Sequence, residues 1–374
     1  MAQTSFMFYN IKVQKVTRET PETVSVSLEI PENLKDHFKY KQGQYLTFKQ
    51  TINAEELRRS YSLCSSPVTD NSLQVAVKQV EGGKFSTWAN TELKEGSVLE
   101  TMAPMGNFYT EVAENQKKKY VLFGAGSGIT PLLSIIKTIL SVEKESEIVL
   151  IYGNRTNDTI IFNSALNDLV ESSNGRFTRI DVLSRENNND PIFNGRIGKE
   201  KCVEIDLKHT KLLDADEFFL CGPESMIMDI KAWLENSNIN KSNIHFELFT
   251  TPVASAEKTV DPNAEINAKV TVIMDDEEFE FDLSSKGDSI LDASVDAGID
   301  APYSCKGAVC CTCKAKVVEG SARMEMNYAL DDKEVADGYI LTCQAHPTSE
   351  KCVVDRLRYS HLQLLCHPIG AFFI

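Results

Sequence analysis

No leader is expected. The chain's N-terminus shows no basic stretch followed by an apolar run, so an exported, disulfide-forming product is not expected and a reducing cytosol is. It also lacks an excess of positive charge. The 39 Lys and Arg stand against 54 Asp and Glu, a formal net charge of −15. That balance argues against nucleic acid or an anionic membrane as partner and suits docking on a basic protein surface. No apolar stretch runs unbroken for a bilayer's thickness. The most apolar window, residues 120–140, is interrupted by Gly124, Gly126, Gly128 and Pro131 and reads as strand, glycine loop and helix. The 10 cysteines are too sparse in 374 residues for a disulfide framework. A chain of this length is expected to form two or three domains, each with its own core.

What is present is more specific. Cys305, Cys310 and Cys313 lie in Ser304-Cys305-Lys306-Gly307-Ala308-Val309-Cys310-Cys311-Thr312-Cys313, a C-x4-C-x2-C spacing, and Cys343 follows in Leu341-Thr342-Cys343-Gln344. Three thiolates from one loop and a fourth downstream are the ligand pattern of a plant-type [2Fe–2S] cluster, which carries one electron at a time. The small residues Gly307 and Ala308 let the backbone wrap closely and aim N–H groups at the sulfurs. The spacing skips Cys311, which is expected to be a small buried hydrophobe. The competing reading is zinc held by the Cys310 and Cys313 pair. Zinc sites commonly show two short paired motifs, and this sequence has no second pair.

The interrupted apolar window carries another motif. Tyr120-Val121-Leu122-Phe123 reads as a short strand behind the basic run Lys117-Lys118-Lys119. Gly124-Ala125-Gly126-Ser127-Gly128-Ile129-Thr130-Pro131 then turns into an apolar helix over 132–140, with Pro131 suited to its first turn. Glycines let a backbone approach a pyrophosphate, and a helix N-terminus offers free N–H groups and a favourable dipole. The third glycine comes early for a strict G-x-G-x-x-G, so a tight structural turn is the alternative. Downstream, 148–153, 177–184 and 217–221 read as buried strands, with helical patterns at 163–170 and 225–236. This alternation predicts a parallel sheet with a ligand at the carboxyl ends of its strands, where Cys221-Gly222-Pro223 stands. A buried structural role is the alternative for Cys221.

Residues 13–100 differ. Short alternating runs at 23–30, 44–48 and 73–80, punctuated by Pro31, Gly43, Pro67 and Gly82-Gly83, predict an antiparallel barrel. Within it sits Arg58-Arg59-Ser60-Tyr61-Ser62. An arginine, a tyrosine and hydroxyls along a strand can pair a phosphate, stack on a flat ring and hydrogen-bond its edge. Gly83-Lys84-Phe85-Ser86-Thr87 looks like a second phosphate cradle opening a helix. Taken singly, each is more often an ordinary strand or cap.

Their joint order resembles the ferredoxin–NADP reductase superfamily across about residues 5–250, and the appended cysteine motif resembles the oxygenase reductases that carry a C-terminal plant-type ferredoxin domain. Tyr303 through Cys313, with the later Asn327-Tyr328-Ala329-Leu330, is most similar to the branch that serves phenylacetyl-CoA epoxidases. The resemblance implies three cofactors: FAD, a [2Fe–2S] cluster and NADPH, with NADH as the alternative donor. It implies that Arg59 binds the FAD pyrophosphate, Tyr61 packs on the flavin and Ser62 approaches flavin N5. Lys78 would meet the ribityl or nucleotide part, with Gly83, Lys84, Phe85, Ser86 and Thr87 at the phosphates. Gly126, Ser127 and Thr130 would hold the nicotinamide dinucleotide. Cys221, followed by Gly222 and Pro223, would stand by the nicotinamide carbon, and Glu247 would be the acidic residue near the flavin. Ser62, Cys221 and Glu247 form the implied catalytic set, and Cys305, Cys310, Cys313 and Cys343 the implied cluster ligands. In the family a Ser-Arg pair such as Ser184-Arg185 often holds a 2′-phosphate. A guanidinium fork suits a phosphate dianion, with Arg155 and Arg196 in support; a solvated loop arginine is the bland reading.

The expected layout is an antiparallel β-barrel FAD domain at 1–113, an α/β parallel-sheet nucleotide domain at 114–250, a linker at 251–265, and an α+β β-grasp ferredoxin domain at 266–356. An atypical tail follows at 357–374. Asp275, Asp276, Glu277 and Glu278 are a candidate docking face, with a solvated hairpin turn as the safer reading. The expected activity is electron transfer from NADPH through FAD and the cluster to a separate oxygenase component, a di-iron enzyme acting on phenylacetyl-CoA. The alternatives are a reductase for another oxygenase or a desaturase, and a non-catalytic zinc-binding adaptor.

Overall fold

Alternation along β1 (Tyr9–Thr20) shows how the first sheet arises: Tyr9, Ile11 and Val13 are buried while Asn10 and Lys12 are exposed, the period of a strand with one face on a core. The computed structural model describes residues 7–187, 190–249, 265–274 and 277–356. The expectations placed on 251–264, on Asp275 and Asp276, and on the tail at 357–374 fall outside the described residues. Two compact units are present, Tyr9–Phe249 and a second that holds the described residues from Glu265 to Arg356.

In the first unit β1 joins β2 (Thr23–Glu29), β3 (Tyr45–Ile52), β4 (Glu55–Ser62), β5 (Leu73–Lys78) and β6 (Val98–Thr101) in the order β4-β3-β6-β1-β2-β5. Every pairing is antiparallel, and a bridge between Leu63 and Val75 joins the two outer strands, closing a barrel. Helix α1 (Lys84–Thr91) plugs it, with Phe85 and Ala89 in the same core as Ile11, Val26, Phe48 and Val75.

Five parallel strands follow: β7 (Lys119–Ala125), β8 (Glu147–Asn154), β9 (Phe177–Leu183), β10 (Glu217–Cys221) and β11 (Ile244–Glu247). Helices α2 (Ile129–Val142), α3 (Asn163–Ser172), α4 (Lys199–Lys208) and α5 (Glu224–Asn236) connect them. The order β11-β10-β7-β8-β9 reverses direction between β7 and β10, so the sheet has a switch point at the ends of those two strands. Tyr120, Val121, Leu122 and Phe123 are all fully buried, as expected of a parallel strand covered on both faces. Each such side chain contributes roughly 1.5–3 kcal/mol of apolar burial.

Barrel and sheet lock together through polar contacts. The Ser66 and Thr138 hydroxyls lie 2.8 Å apart, Ser134 donates to the Ser65 carbonyl, and Lys137 pairs with Asp70 at 3.0 Å. The Phe108 ring meets Phe219 edge-on at 5.5 Å. These contacts set the end of β4 against the carboxyl edge of the parallel sheet.

The second unit contains β12 (Asn267–Met274), β13 (Glu277–Ser284), α6 (Ile290–Asp296), β14 (Lys314–Glu319), β15 (Ala322–Met324), α7 (Asp332–Ala336), β16 (Tyr339–Leu341), β17 (Ala345–Pro347) and β18 (Lys351–Asp355). Its main sheet runs β13-β12-β18-β14-β16, with β12 and β18 parallel and the other pairs antiparallel. Ile290 of α6 packs on Val270, Val272 and Val354 of that sheet, which is the β-grasp arrangement.

Two elements exceed what periodicity suggests. β1 lies ahead of the first alternating run at 23–30, and β4 extends the strand read at the Arg59 motif back to Glu55, paired with β3. Helix α4 has only Cys202 and Ile205 fully buried, too sparse a stripe to show in the sequence.

Candidate functional site

The parallel register places Gly124 of β7 beside Cys221 of β10, and Cys221 beside Glu247 of β11. The barrel contributes Ser62, whose hydroxyl donates to Glu247 Oε2 at 2.8 Å. Glu247 keeps part of its residue surface accessible, but its carboxyl lies deep among protein atoms, and that burial lifts it to about 7 against the pull of the Ser62 hydrogen bond. Cys221 is completely buried; burial, and then the Glu247 charge, push its thiol well up, so it is a neutral thiol at pH 7. A buried hydroxyl, a titratable carboxyl and a neutral thiol therefore meet at the switch point of the sheet.

Along β4, Arg59 and Tyr61 share one face and Ser62 takes the other. The Tyr61 ring lies 5.6 Å from Phe85 and 6.1 Å from Phe48, and burial raises its hydroxyl's pKa. Helix α1 starts after Gly83 with no side-chain cap, which leaves first-turn N–H groups for an anion. The side chains of that cradle are otherwise engaged. Phe85 points into the barrel, Ser86 Oγ accepts from the Val80 amide at 3.1 Å, and Lys84 pairs with Glu55. Thr87 Oγ1 accepts from Gln79 at 3.4 Å. The stretch thus offers backbone groups more than side chains.

Lys78 ends β5 and is half-buried, with burial lowering its pKa. Its ammonium would lie 3.7 Å from a Cβ at Gly126, so it faces the glycine loop. Gly126 has φ +54°, the left-handed region that favours glycine. A Cβ at Gly128 would sit 2.0 Å from the Cys221 carbonyl oxygen, so only glycine lets the loop reach β10 this closely. Thr130 donates to the Ser127 carbonyl at 3.0 Å, and the Tyr152 hydroxyl donates to the Gly126 carbonyl at 2.9 Å. Tyr152 was missed from the sequence, because a tyrosine within an apolar strand reads as core.

On the far side of β8, the Ser184 amide donates to the Asn154 carbonyl at 2.9 Å and the Arg185 amide to the Arg155 carbonyl at 2.8 Å. Arg155, Arg185 and Arg196 are none of them buried. The neighbouring Glu186 carboxylate accepts from the Asn157 amide and side chain at 3.0 and 2.6 Å. Gly222 packs against Met226 and Ala125, and Pro223 leads into α5.

In the second unit the cysteine loop coils through two left-handed residues, Lys306 (φ 51°) and Ala308 (φ 62°). Neither is glycine, and each such residue costs roughly 1–2 kcal/mol. The curl turns the Gly307 amide toward Cys305 Sγ at 3.3 Å. Cys310 Sγ lies 3.1 Å from Cys305 Sγ, and this contact, with amides from Gly307, Val309 and Cys310, holds the Cys305 thiol below its ordinary value. Cys313 in turn contacts Cys343, which raises it. The thiols thus gather two and two. Cys311 is half-buried, turned toward the Ala329 carbonyl at 3.4 Å, and burial pushes its thiol up to about 12. Asn327 and Leu330 bond each other, and the Tyr328 amide donates to the Ala308 carbonyl at 3.1 Å, so this segment braces the loop.

Comparison with known proteins matches residues 10–109 to an oxidoreductase FAD-binding domain, 122–232 to an oxidoreductase NAD-binding domain and 272–348 to a 2Fe-2S iron-sulfur cluster binding domain. Over 348 residues the chain is 39% identical to a subunit of 1,2-phenylacetyl-CoA epoxidase from Escherichia coli (strain K12), covering 93% of this chain and 97% of that protein. The chain belongs to the ferredoxin–NADP reductase-type oxygenase reductases. This reductase is also 31% identical over 352 residues to the ferredoxin reductase component of 3-ketosteroid-9-alpha-monooxygenase from Rhodococcus rhodochrous, covering 92% and 96% of the two chains. Among solved structures it matches phthalate dioxygenase reductase with a TM-score of 0.55 at 21% identity, over 93% of this chain and 98% of that one, a likeness of fold.

The reductase is an NAD(P)H oxidoreductase that uses FAD, a nicotinamide nucleotide and a [2Fe–2S] cluster. Its residues fit those groups: uncapped helix amides and a glycine loop for the phosphates, and four thiols paired two and two for a binuclear cluster. Among the described residues no helix is long and apolar enough to cross a membrane.

Proposed function

We propose that this reductase draws electrons from NADPH and passes them to the oxygenase component of a di-iron epoxidase acting on phenylacetyl-CoA. The observation that carries the reading is the 39% identity over nearly the whole chain to a subunit of 1,2-phenylacetyl-CoA epoxidase, in a chain whose switch point joins Ser62, Cys221 and Glu247. The ferredoxin reductase component of a steroid monooxygenase lies at 31% identity, which makes the reductase of another oxygenase the second reading.

When bound, FAD takes an electron pair from the nicotinamide and releases electrons singly, and the [2Fe–2S] cluster carries them on. The chain's own groups do the positioning. Arg59 pairs a pyrophosphate, Tyr61 packs on the flavin, Lys78 faces its nucleotide part, and the amides around Gly83, Lys84, Phe85, Ser86 and Thr87 receive phosphate. Gly126, Ser127 and Thr130 receive the dinucleotide, with Gly222 and Pro223 shaping the edge on which Cys221 meets the nicotinamide. Glu247 holds a proton near neutrality and shares it through Ser62. Cys305, Cys310, Cys313 and Cys343 ligate the cluster. Ser184 and Arg185 would hold a 2′-phosphate through a guanidinium fork, with Arg155 and Arg196 in support.

Anaerobic titration with NADPH, followed by visible absorbance and electron paramagnetic resonance, tests the internal chain. Flavin bleaching with a reduced [2Fe–2S] signal is expected. Bleaching with no cluster signal would remove the assigned route. Turnover of purified phenylacetyl-CoA epoxidase, set against a steroid monooxygenase as acceptor, separates the two readings of the partner.

A further inference from the structure

Arg356 follows β18 and is 4% exposed, beneath the cysteine loop. Its amide donates to the Ile273 carbonyl at 3.0 Å. Its Nη2 donates to the Pro302 carbonyl at 3.0 Å and to the Thr312 carbonyl at 3.3 Å, so one guanidinium nitrogen spans both flanks of the loop. Neither acceptor carries a charge. Burial lowers the guanidinium to about 10, and the sulfurs of Cys313 and Cys343 push it back up. At neutral pH the side chain is therefore a cation held away from water.

A buried cation is costly unless something negative stands near it. The ligand set supplies negative charge on the Cys313 and Cys343 side. Two ferric ions, two sulfides and four thiolates sum to a dianion, and uptake of one electron makes a trianion. We propose that Arg356 is the built-in counter-cation of the Cys313–Cys343 half of the cluster and raises its reduction potential. An adjacent positive charge stabilises the trianion more than the dianion, and a low local dielectric magnifies the difference. One electron enters, originating from the nicotinamide donor, and no bond forms or breaks. The carbonyls of Pro302 and Thr312 hold the guanidinium in place, so its distance from the sulfurs is set by the backbone of the loop itself.

This inference rests on the assignment of the four cysteines to the cluster, and iron and sulfide analysis of the wild-type full chain tests that assignment separately. Wild-type protein without two irons and two sulfides would sink the assignment. Given a loaded wild type, Arg356→Gln keeps a hydrogen-bond donor without the charge, and Arg356→Lys keeps the charge without the planar fork. In a redox titration followed by electron paramagnetic resonance, Arg356→Gln is expected to disfavour reduction at least tenfold, ~59 mV for a one-electron couple. Arg356→Lys is expected to stay within about twofold of wild type. A loaded Gln variant at the wild-type potential, or Gln and Lys variants shifted alike, would overturn the inference. If Lys loads at the wild-type potential and Gln does not load, the charge is required and the inference stands. If neither loads, Arg356 is a structural plug and the inference falls.

Discussion

Ser62 and Glu247 stand 185 positions apart, yet the Ser62 hydroxyl donates to the Glu247 carboxyl across 2.8 Å. The bond ties the last residue of a barrel strand to the last residue of a parallel-sheet strand, which is the register partner of Cys221. The flavin and nicotinamide assignments of the reductase converge on this junction.

Glu247 gives the reductase a pH dependence. Because its folded pKa of about 7 lies above the ordinary carboxylate value, its neutral form is favoured by folding. The associated stability is fully present below about pH 4.5 and is lost as pH rises through 7. Glu247→Gln should therefore gain on wild type by roughly 1–3 kcal/mol between pH 5 and pH 8 in urea unfolding. The same substitution should remove an ionisation near 7 from the rate of flavin reduction by NADPH, measured by stopped flow. A wild-type rate already flat from pH 5 to 9 would contradict the assignment.

Gly128 is where the nucleotide loop touches β10. Gly128→Ala puts a methyl group 2.0 Å from the Cys221 carbonyl oxygen, backbone against backbone, so the loop must move. A loss of about 1–3 kcal/mol in stability is expected, with KM for the nicotinamide raised at least tenfold and bound FAD retained. Flavin content and steady-state dye reduction check it; an unchanged KM would place the nucleotide elsewhere.

The proposed preference for a 2′-phosphate rests on Arg185. Arg185→Ala should lower kcat/KM for NADPH about tenfold or more, from the roughly 1.5–3 kcal/mol of a hydrogen bond to a charged group, and leave NADH nearly unchanged. Equal losses with both donors would show that Arg185 acts on the shared part of the dinucleotide or on folding.

As a proposed cluster ligand, Cys310 offers a way to separate the two halves of the electron path. Cys310→Ser should spare NADPH-to-dye reduction within about twofold, because dye can be reduced at the flavin, and abolish turnover with the oxygenase component. Iron analysis of the variant reports the cluster directly. Undiminished oxygenase turnover would sink the route through the cysteine loop.

Features that depend on a few neighbouring residues were legible in the sequence. The glycine turn after Phe123, the apolar run of α2, the alternation of β2 and the order of a barrel, a parallel sheet and a mixed sheet all follow from local backbone freedom and hydrophobic period. The spacing of Cys305, Cys310 and Cys313 belongs to the same class, since one loop supplies all three. Tertiary structure decided the rest. That Cys313 meets Cys343 while Cys310 meets Cys305 depends on where β16 docks. Lys306 and Ala308, not Gly307, take the left-handed conformations, because brace contacts from Tyr328 and Gln344 outweigh the intrinsic preference of glycine. Nothing in the local sequence marks Arg356, which packing buries beneath the cysteine loop. Ser62 reaches Glu247 only because the barrel docks on the sheet at Ser66 and Thr138. Period and spacing report the neighbours a residue has along the chain; charge pairing and register across sheets depend on neighbours that only the packed core brings near.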